Sequence, residues 1–275
     1  MPDSLRAAAI QMVSTSDVET NLRSAGDLLE QAAAMGAQLA VLPENWPLMG
    51  DTDSDKLVCQ EAYGHGPLQA FLAGRARELG LWLIGGSIPL STGAPDHVYN
   101  SCLVYDPEGN CSARYDKIHL FDVNVGRDGS EAYRESDSIT PGQEITVAAT
   151  PFGNIGVSIC YDLRFPELYR RMLSRDITII TVPAAFTRTT GKQHWEILLR
   201  SRAVENLCFV IAAGQGGQHN EKRATWGHSM IIGPWGDILA AMETGPGVVC
   251  ADLDLRQLHT IRKSFPALEH RQLVE

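Results

Sequence analysis

Runs rich in valine, isoleucine and leucine alternate with helical patterns almost from end to end of this chain. Residues 5–12 read as a strand. Residues 21–35 read as a helix closed by Gly36, a residue suited to the left-handed turn that ends helices. A short buried strand comes next at 39–42 and runs into the turn Pro43-Glu44-Asn45-Trp46-Pro47. The pattern then predicts a helix over 67–79 and a strand over 82–87. Residues 98–105 and 111–115 form a hairpin around Asp106-Pro107-Glu108-Gly109-Asn110. Residues 121–142 are polar and irregular, and a loop of that length in a compact domain is usually functional. Beyond it come strands at 145–150 and 155–160, a helix at 166–174 and a strand at 177–182. Then come a helix at 192–206, a strand at 209–213 and a hairpin around Gly233-Pro234-Trp235-Gly236. A strand at 247–252 and a helix at 255–264 complete the series.

Strands alternating with helices point to a layered α/β fold. The two hairpins mean that the sheet is not purely parallel, and they fit poorly into one doubly wound sheet. A four-layer sandwich, two mixed sheets with helices outside, accommodates them better. No linker, repeat or low-complexity segment interrupts the pattern, so residues 1–275 are expected to form a single domain.

Composition narrows the function classes. With 44% apolar and 20% charged residues the chain has the mix of a globular protein. A net charge of −10 gives it no general attraction for nucleic acid or anionic lipid. No stretch approaches the roughly 20 apolar residues that span a bilayer, so no membrane partner is expected. The first residues lack the basic and apolar regions of a secretory signal, which suggests the cytoplasm. The six cysteines, at 59, 102, 111, 160, 208 and 250, have no zinc-like spacing and read as reduced thiols. No metal ligands stand out, and no cofactor is required.

Candidate chemistry collects where apolar strands end, the place where open α/β sheets build their sites. One strand delivers Glu44, another ends just before Lys117, and a third runs into Cys160. Cys160 is followed by a sharp polar turn and a helix opening at Pro166. Free N–H groups and a helix dipole at such a junction would lower the thiol pKa. A lone cysteine at a strand end is more often a core residue, and a lone glutamate or lysine a turn or surface charge. Their joint occurrence changes the reading. A nucleophilic cysteine needs a base, and acyl transfer needs a cation or N–H groups for the oxyanion.

The blocks Leu42-Pro43-Glu44, Tyr115-Asp116-Lys117-Ile118-His119-Leu120-Phe121 and Ile159-Cys160-Tyr161-Asp162-Leu163-Arg164-Phe165-Pro166-Glu167 resemble the three signature blocks of the nitrilase superfamily, in the family's order. The resemblance continues through Pro141-Gly142, Pro183-Ala184-Ala185-Phe186, His194-Trp195-Glu196 and Gly227-His228-Ser229-Met230. It implies the family's α-β-β-α sandwich and pairing into a homodimer or higher oligomer. It also implies a cysteine-nucleophile amidase. Cys160 would attack a small-molecule amide, and Glu44 would shuttle the proton. Lys117 and the Tyr161 N–H would hold the oxyanion. A second glutamate of the family matches Glu135, with Glu131 as a rival.

The stretches Arg164-Phe165-Pro166-Glu167-Leu168 and Tyr133-Arg134-Glu135-Ser136 resemble the Nit branch of the superfamily. That branch implies hydrolysis of the 2-oxoglutaramyl amide of deaminated glutathione, with α-ketoglutaramate as the alternative substrate. Such substrates carry carboxylates, which a guanidinium clamps well. Arg164 is the candidate, against a structural ion pair with Glu167 or Asp162, and Phe186 and Thr187 are expected in the pocket wall. Three rivals carry less. A papain-like pairing of Cys160 with His194 or His228 lacks its signature. The glycines of Gly214-Gln215-Gly216-Gly217 lack an apolar helix after them. A non-enzymatic relative would be expected to have lost Glu44, Lys117 or Cys160, and all three are present.

Overall fold

Strand β1 (Ser4–Gln11) sets the plan of the molecule. In the computed structural model, which describes residues 2–52, 54–125 and 131–273, β1 is buried on both faces. Leu5, Ala7 and Ala9 belong to one core, and Ala8 and Ile10 to another. Burial on two faces is why the run is nearly continuously apolar rather than alternating. β1 pairs in parallel with β2 (Leu39–Val41), and β2 with β3 (Trp82–Ile84). Around this parallel centre the neighbours are antiparallel. β4 (Ile88–Ser91) and β6 (Cys111–Asp116) flank β5 (Val98–Tyr105), which lies beside β3.

In chain order, a separate two-stranded ribbon comes between the two sheets, β7 (Asp122–Val125) with β8 (Glu131–Arg134). The second sheet then repeats the logic of the first. β9 (Thr146–Thr150) lies antiparallel to β10 (Gly153–Val157), which runs parallel to β11 (Ile177–Ala184) and β12 (Phe209–Gly214). β13 (Met230–Ile232) and β14 (Ile238–Ala241) complete it as an antiparallel hairpin. β15 (Gly247–Asp254) returns to the first sheet beside β1.

Helices cover the outer faces. α1 (Val18–Ala34) and α2 (Pro67–Leu79) bring Ala25, Leu29 and Leu72 against Ala8, Ile10 and Leu83 of the first sheet. α3 (Pro166–Met172) and α4 (Arg188–Asn206) bring Tyr169, Trp195 and Leu199 into the core of the second sheet. That core also takes in Leu5, Leu39 and Val41 of the first sheet. α5 (Leu255–Ser264) adds Leu255 and Leu258. The layers are therefore helix, sheet, sheet, helix, as the mixed-sheet pattern suggested.

The differences from the expected elements have local causes. α1 and α4 begin earlier than the apolar periodicity because Asp17 and Thr187 cap them, accepting hydrogen bonds from Thr20 N and Thr190 N. The segment 121–142 is not wholly irregular, since it holds β7 and β8. Those strands are short and half-exposed, so they leave no apolar stripe to read. β4 is a further strand that the pattern does not predict. The strand expected over 82–87 stops at Ile84, and the one expected over 155–160 stops at Val157.

Beyond β3 the chain forms a cradle. Trp46 Nε1 donates to Gly85 O at 2.8 Å, and Asn45 N donates to Ser87 Oγ at 2.9 Å. Gly86 sits between them with a φ of 63°, and a Cβ there would strike Pro43 O. Gly142 plays the same part for the end of β6. Its N–H donates to Lys117 O at 2.8 Å, and a Cβ would strike Asp116 O. Both obstacles are backbone, so neither can swing away. Gly86→Ala and Gly142→Ala are each expected to cost about 1–3 kcal/mol, read as a lowered denaturant midpoint. An unchanged midpoint in either variant would show that its segment relaxes around the methyl group.

Candidate active site

Four chain segments converge on one buried ammonium. Glu44 lies just past β2, and Lys117 directly after β6. Glu135 opens a single 3-10 turn, Glu135–Asp137, after β8. Lys117 Nζ donates to Glu44 Oε1 at 2.8 Å, and to Glu135 Oε2 and Oε1 at 2.8 and 3.0 Å. The fourth segment contributes Asn100 of β5, whose Nδ2 reaches Glu44 Oε1 at 3.0 Å and Glu135 Oε1 at 3.3 Å. Backbone N–H groups complete the set, Ala185 N to Glu44 Oε2 at 2.9 Å and Phe121 N to Glu135 Oε2 at 2.7 Å. All four carboxylate oxygens thus have donors, as burial demands. Lys117 is 2% exposed, Glu44 3% and Glu135 8%.

Charges this deep change one another. Burial alone would push the Lys117 ammonium down, but Glu135, Glu44 and Cys160 together hold it well above the ordinary lysine value. Burial likewise works to raise the Glu135 carboxyl. Lys117 and Lys56 more than offset it, so Glu135 lies below the usual range.

Cys160 opens a 3-10 turn, Cys160–Arg164, shortly beyond the end of β10, in the left-handed region at φ 49°. That conformation is uncommon for a non-glycine residue and needs support. Asp162 supplies it. Its Oδ2 accepts from Ile159 N at 2.9 Å and from the Tyr115 hydroxyl at 2.7 Å, while Oδ1 takes His119 N at 3.0 Å and lies 2.7 Å from His119 Nδ1. The His119 ring stacks on Phe165 at 3.7 Å. From α4, Arg202 grips Leu163 O through Nε and Nη2 at 3.0 and 2.8 Å.

The thiol departs from the sequence expectation. Its pKa is raised well above the ordinary value, first by burial and then by Glu44 beside it. Lys117 and the Ala185 N–H offset only part of this. The helix α3 begins only at Pro166, so its N-terminus does not bear on the sulfur. The site therefore disfavours the thiolate and sets the thiol beside a carboxylate.

A cleft opens over this cluster. Glu44, Lys117, Glu135, Cys160, Tyr161, Arg164, Phe186 and Thr187, all singled out from the sequence, line it. The Thr187 hydroxyl is partly committed, since it accepts the α4 cap bond. Arg164 makes no ion pair with Asp162 or Glu167. It lies 5.7 Å over the Tyr161 ring and 5.3 Å over Phe186, with Nη1 3.1 Å from His194 Nδ1. The side chain of Glu131 falls outside the described residues.

Neither His194 nor His228 lines the cleft. His228 packs edge-on against Trp226, and its carbonyl accepts from Trp195 Nε1 at 2.7 Å. Gln215, within the glycine group, donates to Ser14 Oγ at 2.8 Å and Glu44 O at 3.2 Å, so this segment braces the site. Among the described residues no group of three His, Cys, Asp or Glu side chains is placed to hold a metal. Sequence reasoning passes over Asn100, Lys56 and Arg223, and it offers Asp162 only as an ion-pair partner of Arg164. An amide inside an apolar strand is a readable sign of a buried polar partner, which could have found Asn100. Lys56 and Arg223 stand in polar stretches that give no such sign.

Comparison with known proteins identifies the family. The family model described as carbon-nitrogen hydrolase matches residues 6–263. A deaminated glutathione amidase of Yersinia enterocolitica is 41% identical over 97% of this chain and 93% of its own length. The omega-amidase NIT2 of Danio rerio is 35% identical over 97% and 94%. Among solved structures, the C. elegans NitFhit protein superposes with a TM-score of 0.89 at 34% identity, covering 98% of this chain. The chain spans 65% of that protein's length. The chain belongs to the carbon-nitrogen hydrolase family, within the nitrilase superfamily.

Proposed function

We propose that this enzyme hydrolyses the 2-oxoglutaramyl amide bond of deaminated glutathione, releasing 2-oxoglutarate and cysteinylglycine. The observation that carries the reading is the buried Cys160 thiol beside Glu44, with Lys117 clamped between Glu44 and Glu135 in one cleft. Glu44 takes the thiol proton as the sulfur attacks the amide carbon. Lys117 and the Tyr161 N–H hold the oxygen that becomes negative. Glu44 then passes the proton to the nitrogen, the C–N bond breaks, and the amine leaves a thioester on Cys160. Glu44 next takes a proton from water, whose oxygen attacks the thioester, and returns it to the departing sulfur. Glu135 positions Lys117. Arg164, backed by Tyr161 and Phe186, binds the 2-oxo acid carboxylate, and Thr187 forms wall.

The relatives favour this substrate over α-ketoglutaramate, since the amidase of Yersinia enterocolitica is more similar to this chain than the Danio rerio omega-amidase is. α-Ketoglutaramate remains the second reading because that omega-amidase matches nearly the full chain. We read residues 1–275 as one domain, because one core draws on both sheets. Six free cysteines fit a cytoplasmic enzyme. A homodimer is favoured by exposed Ile197 and Val204 on α4 beside Trp235 and Ile238 of the β13–β14 hairpin, which line a common groove.

Release of 2-oxoglutarate from deaminated glutathione tests the activity directly. Cys160→Ala should abolish it with the fold intact, and Glu44→Gln should lower kcat by about 10²–10⁴-fold. No turnover by the wild type would sink the proposal, and turnover of α-ketoglutaramate alone would select the second reading. The thiol offers a separate check. Titration of thiolate absorbance, taken as the difference from Cys160→Ala, should show no ionisation up to about pH 9. Glu44→Gln removes an anion beside the sulfur, so it should move that ionisation to lower pH. A thiolate already present at neutral pH would contradict the mechanism. For the dimer, sedimentation should give twice one chain's mass, and Ile197→Asp with Trp235→Glu should give a monomer. A wild-type monomer would refute the pairing.

A further inference from the structure

Four cations line the cleft of this acidic chain, Lys56, Lys117, Arg164 and Arg223. Arg164, on the Cys160 turn, has its guanidinium placed by three contacts. Its central carbon lies 5.7 Å from the Tyr161 ring centre and 5.3 Å from that of Phe186, and Nη1 is 3.1 Å from His194 Nδ1. Among the described residues no carboxylate pairs with it, and its other N–H groups have no protein acceptor. They are left to a ligand.

The third contact constrains the histidine. A guanidinium can only donate, so Nδ1 is the acceptor and the imidazole is neutral, with its proton on Nε2. His194 is exposed on α4 and does not line the cleft, so it stands behind the guanidinium. On α4 the residues one turn away, Thr190, Gly191, Ile197 and Leu198, carry no charge. Lys192 and Glu196 line an exposed groove that His194 does not. On the segments facing α4, Asp162 is taken up by Tyr115 and His119, and Arg170 donates to Glu205 O at the far end of the helix. Glu167 and Arg171 line a separate groove. Arg164 is therefore the charge that bears on His194. Partial desolvation first, and Arg164 second, hold the imidazole below the ordinary histidine value.

We propose that His194 is a positioning residue, which holds the Arg164 guanidinium at the cleft wall ready for a substrate carboxylate. It acts within the amidase reading, in which Arg164 binds the 2-oxo acid carboxylate. An arginine side chain has many rotamers, and a partner that fixes one before substrate arrives reduces the ordering that binding must supply. Protonation reverses the contact. Nδ1 then carries a hydrogen and cannot accept, and an imidazolium faces a guanidinium across the same gap. The substrate carboxylate stays ionised over the histidine range, so weaker binding in acid comes from the protein.

Steady-state kinetics on deaminated glutathione, from about pH 8 to about pH 5, test this in the full-length enzyme and three variants. In the wild type KM should rise as pH falls through the histidine range, by more than kcat changes. His194→Ala should raise KM by about 3–10-fold at neutral pH, with kcat little changed, and should remove the acid rise. His194→Asn should keep the low KM across the range. Its Oδ1 can stand where Nδ1 stood, accept the same hydrogen bond and take no proton. Arg164→Ala sets the scale, with KM raised by about 10–100-fold. A His194→Ala enzyme with the wild-type KM, or a His194→Asn enzyme that keeps the acid rise, would overturn the assignment of His194 while leaving the amidase reading intact. An unchanged KM in Arg164→Ala would overturn the carboxylate role of Arg164 and the assignment with it. A wild type that does not cleave the compound overturns the amidase reading as well.

Discussion

Burying one ammonium between two carboxylates is the constraint around which this molecule is built. Lys117, Glu44 and Glu135 come from three distant stretches of chain, and each is nearly sealed from water. Charges in such a place persist only when every lone pair and proton is matched, and here the four carboxylate oxygens share Lys117, Asn100 and two backbone N–H groups. Removing one partner strands a charge, at a cost of about 3–5 kcal/mol. The end of β2, the end of β6 and the turn after β8 are therefore tied to one another. The same tie explains why backbone packs so closely at Gly86 and Gly142, since each glycine lies against a segment that delivers one of these side chains.

The charge balance of that cluster decides the state of the nucleophile. One cation against two anions leaves a net negative environment, so a thiolate beside it would be a third anion in a buried site. Burial first, and Glu44 second, push the thiol up, and the same Glu44 stands where it could accept the proton. A cysteine activated by a helix dipole would be ionised before substrate arrives. On the amidase reading, this one ionises as its bond to carbon forms, with Lys117 and the Tyr161 N–H facing the oxygen that becomes negative. Asp162 makes the arrangement durable, because a single buried carboxylate ties the Cys160 turn to Tyr115 and His119 on either side of Lys117.

Much of this is legible in the sequence, and the parts that are not share a physical reason. Strands buried on both faces leave continuous apolar runs, so β1, β11 and β12 and the residues at the strand ends can be placed from pattern alone. Glu44, Lys117, Cys160 and Glu135 emerge from residue type, position and family likeness. The β7–β8 ribbon escapes because short half-exposed strands carry too little periodicity. The thiol pKa is misjudged in sign because it depends on desolvation and on a neighbour 116 positions away in the chain, neither of which local sequence records. Arg223 is invisible for a similar reason, since a polar loop residue reveals its surroundings only once the loop is folded against residues 12–50.

Overall acidity and a cationic cleft are not in conflict, because they act over different distances. The net charge of the chain is spread over its surface, where salt screens it within about 10 Å. Inside the cleft the cations sit close to apolar walls, Arg164 over Tyr161 and Phe186, and their attraction for an anion is less diluted by water. A carboxylate-bearing substrate is thus repelled weakly at long range and held firmly at short range. Affinity then depends on matching carboxylates to cations one by one rather than on bulk charge. On the amidase reading, the number and position of a substrate's carboxylates are then what the cleft discriminates.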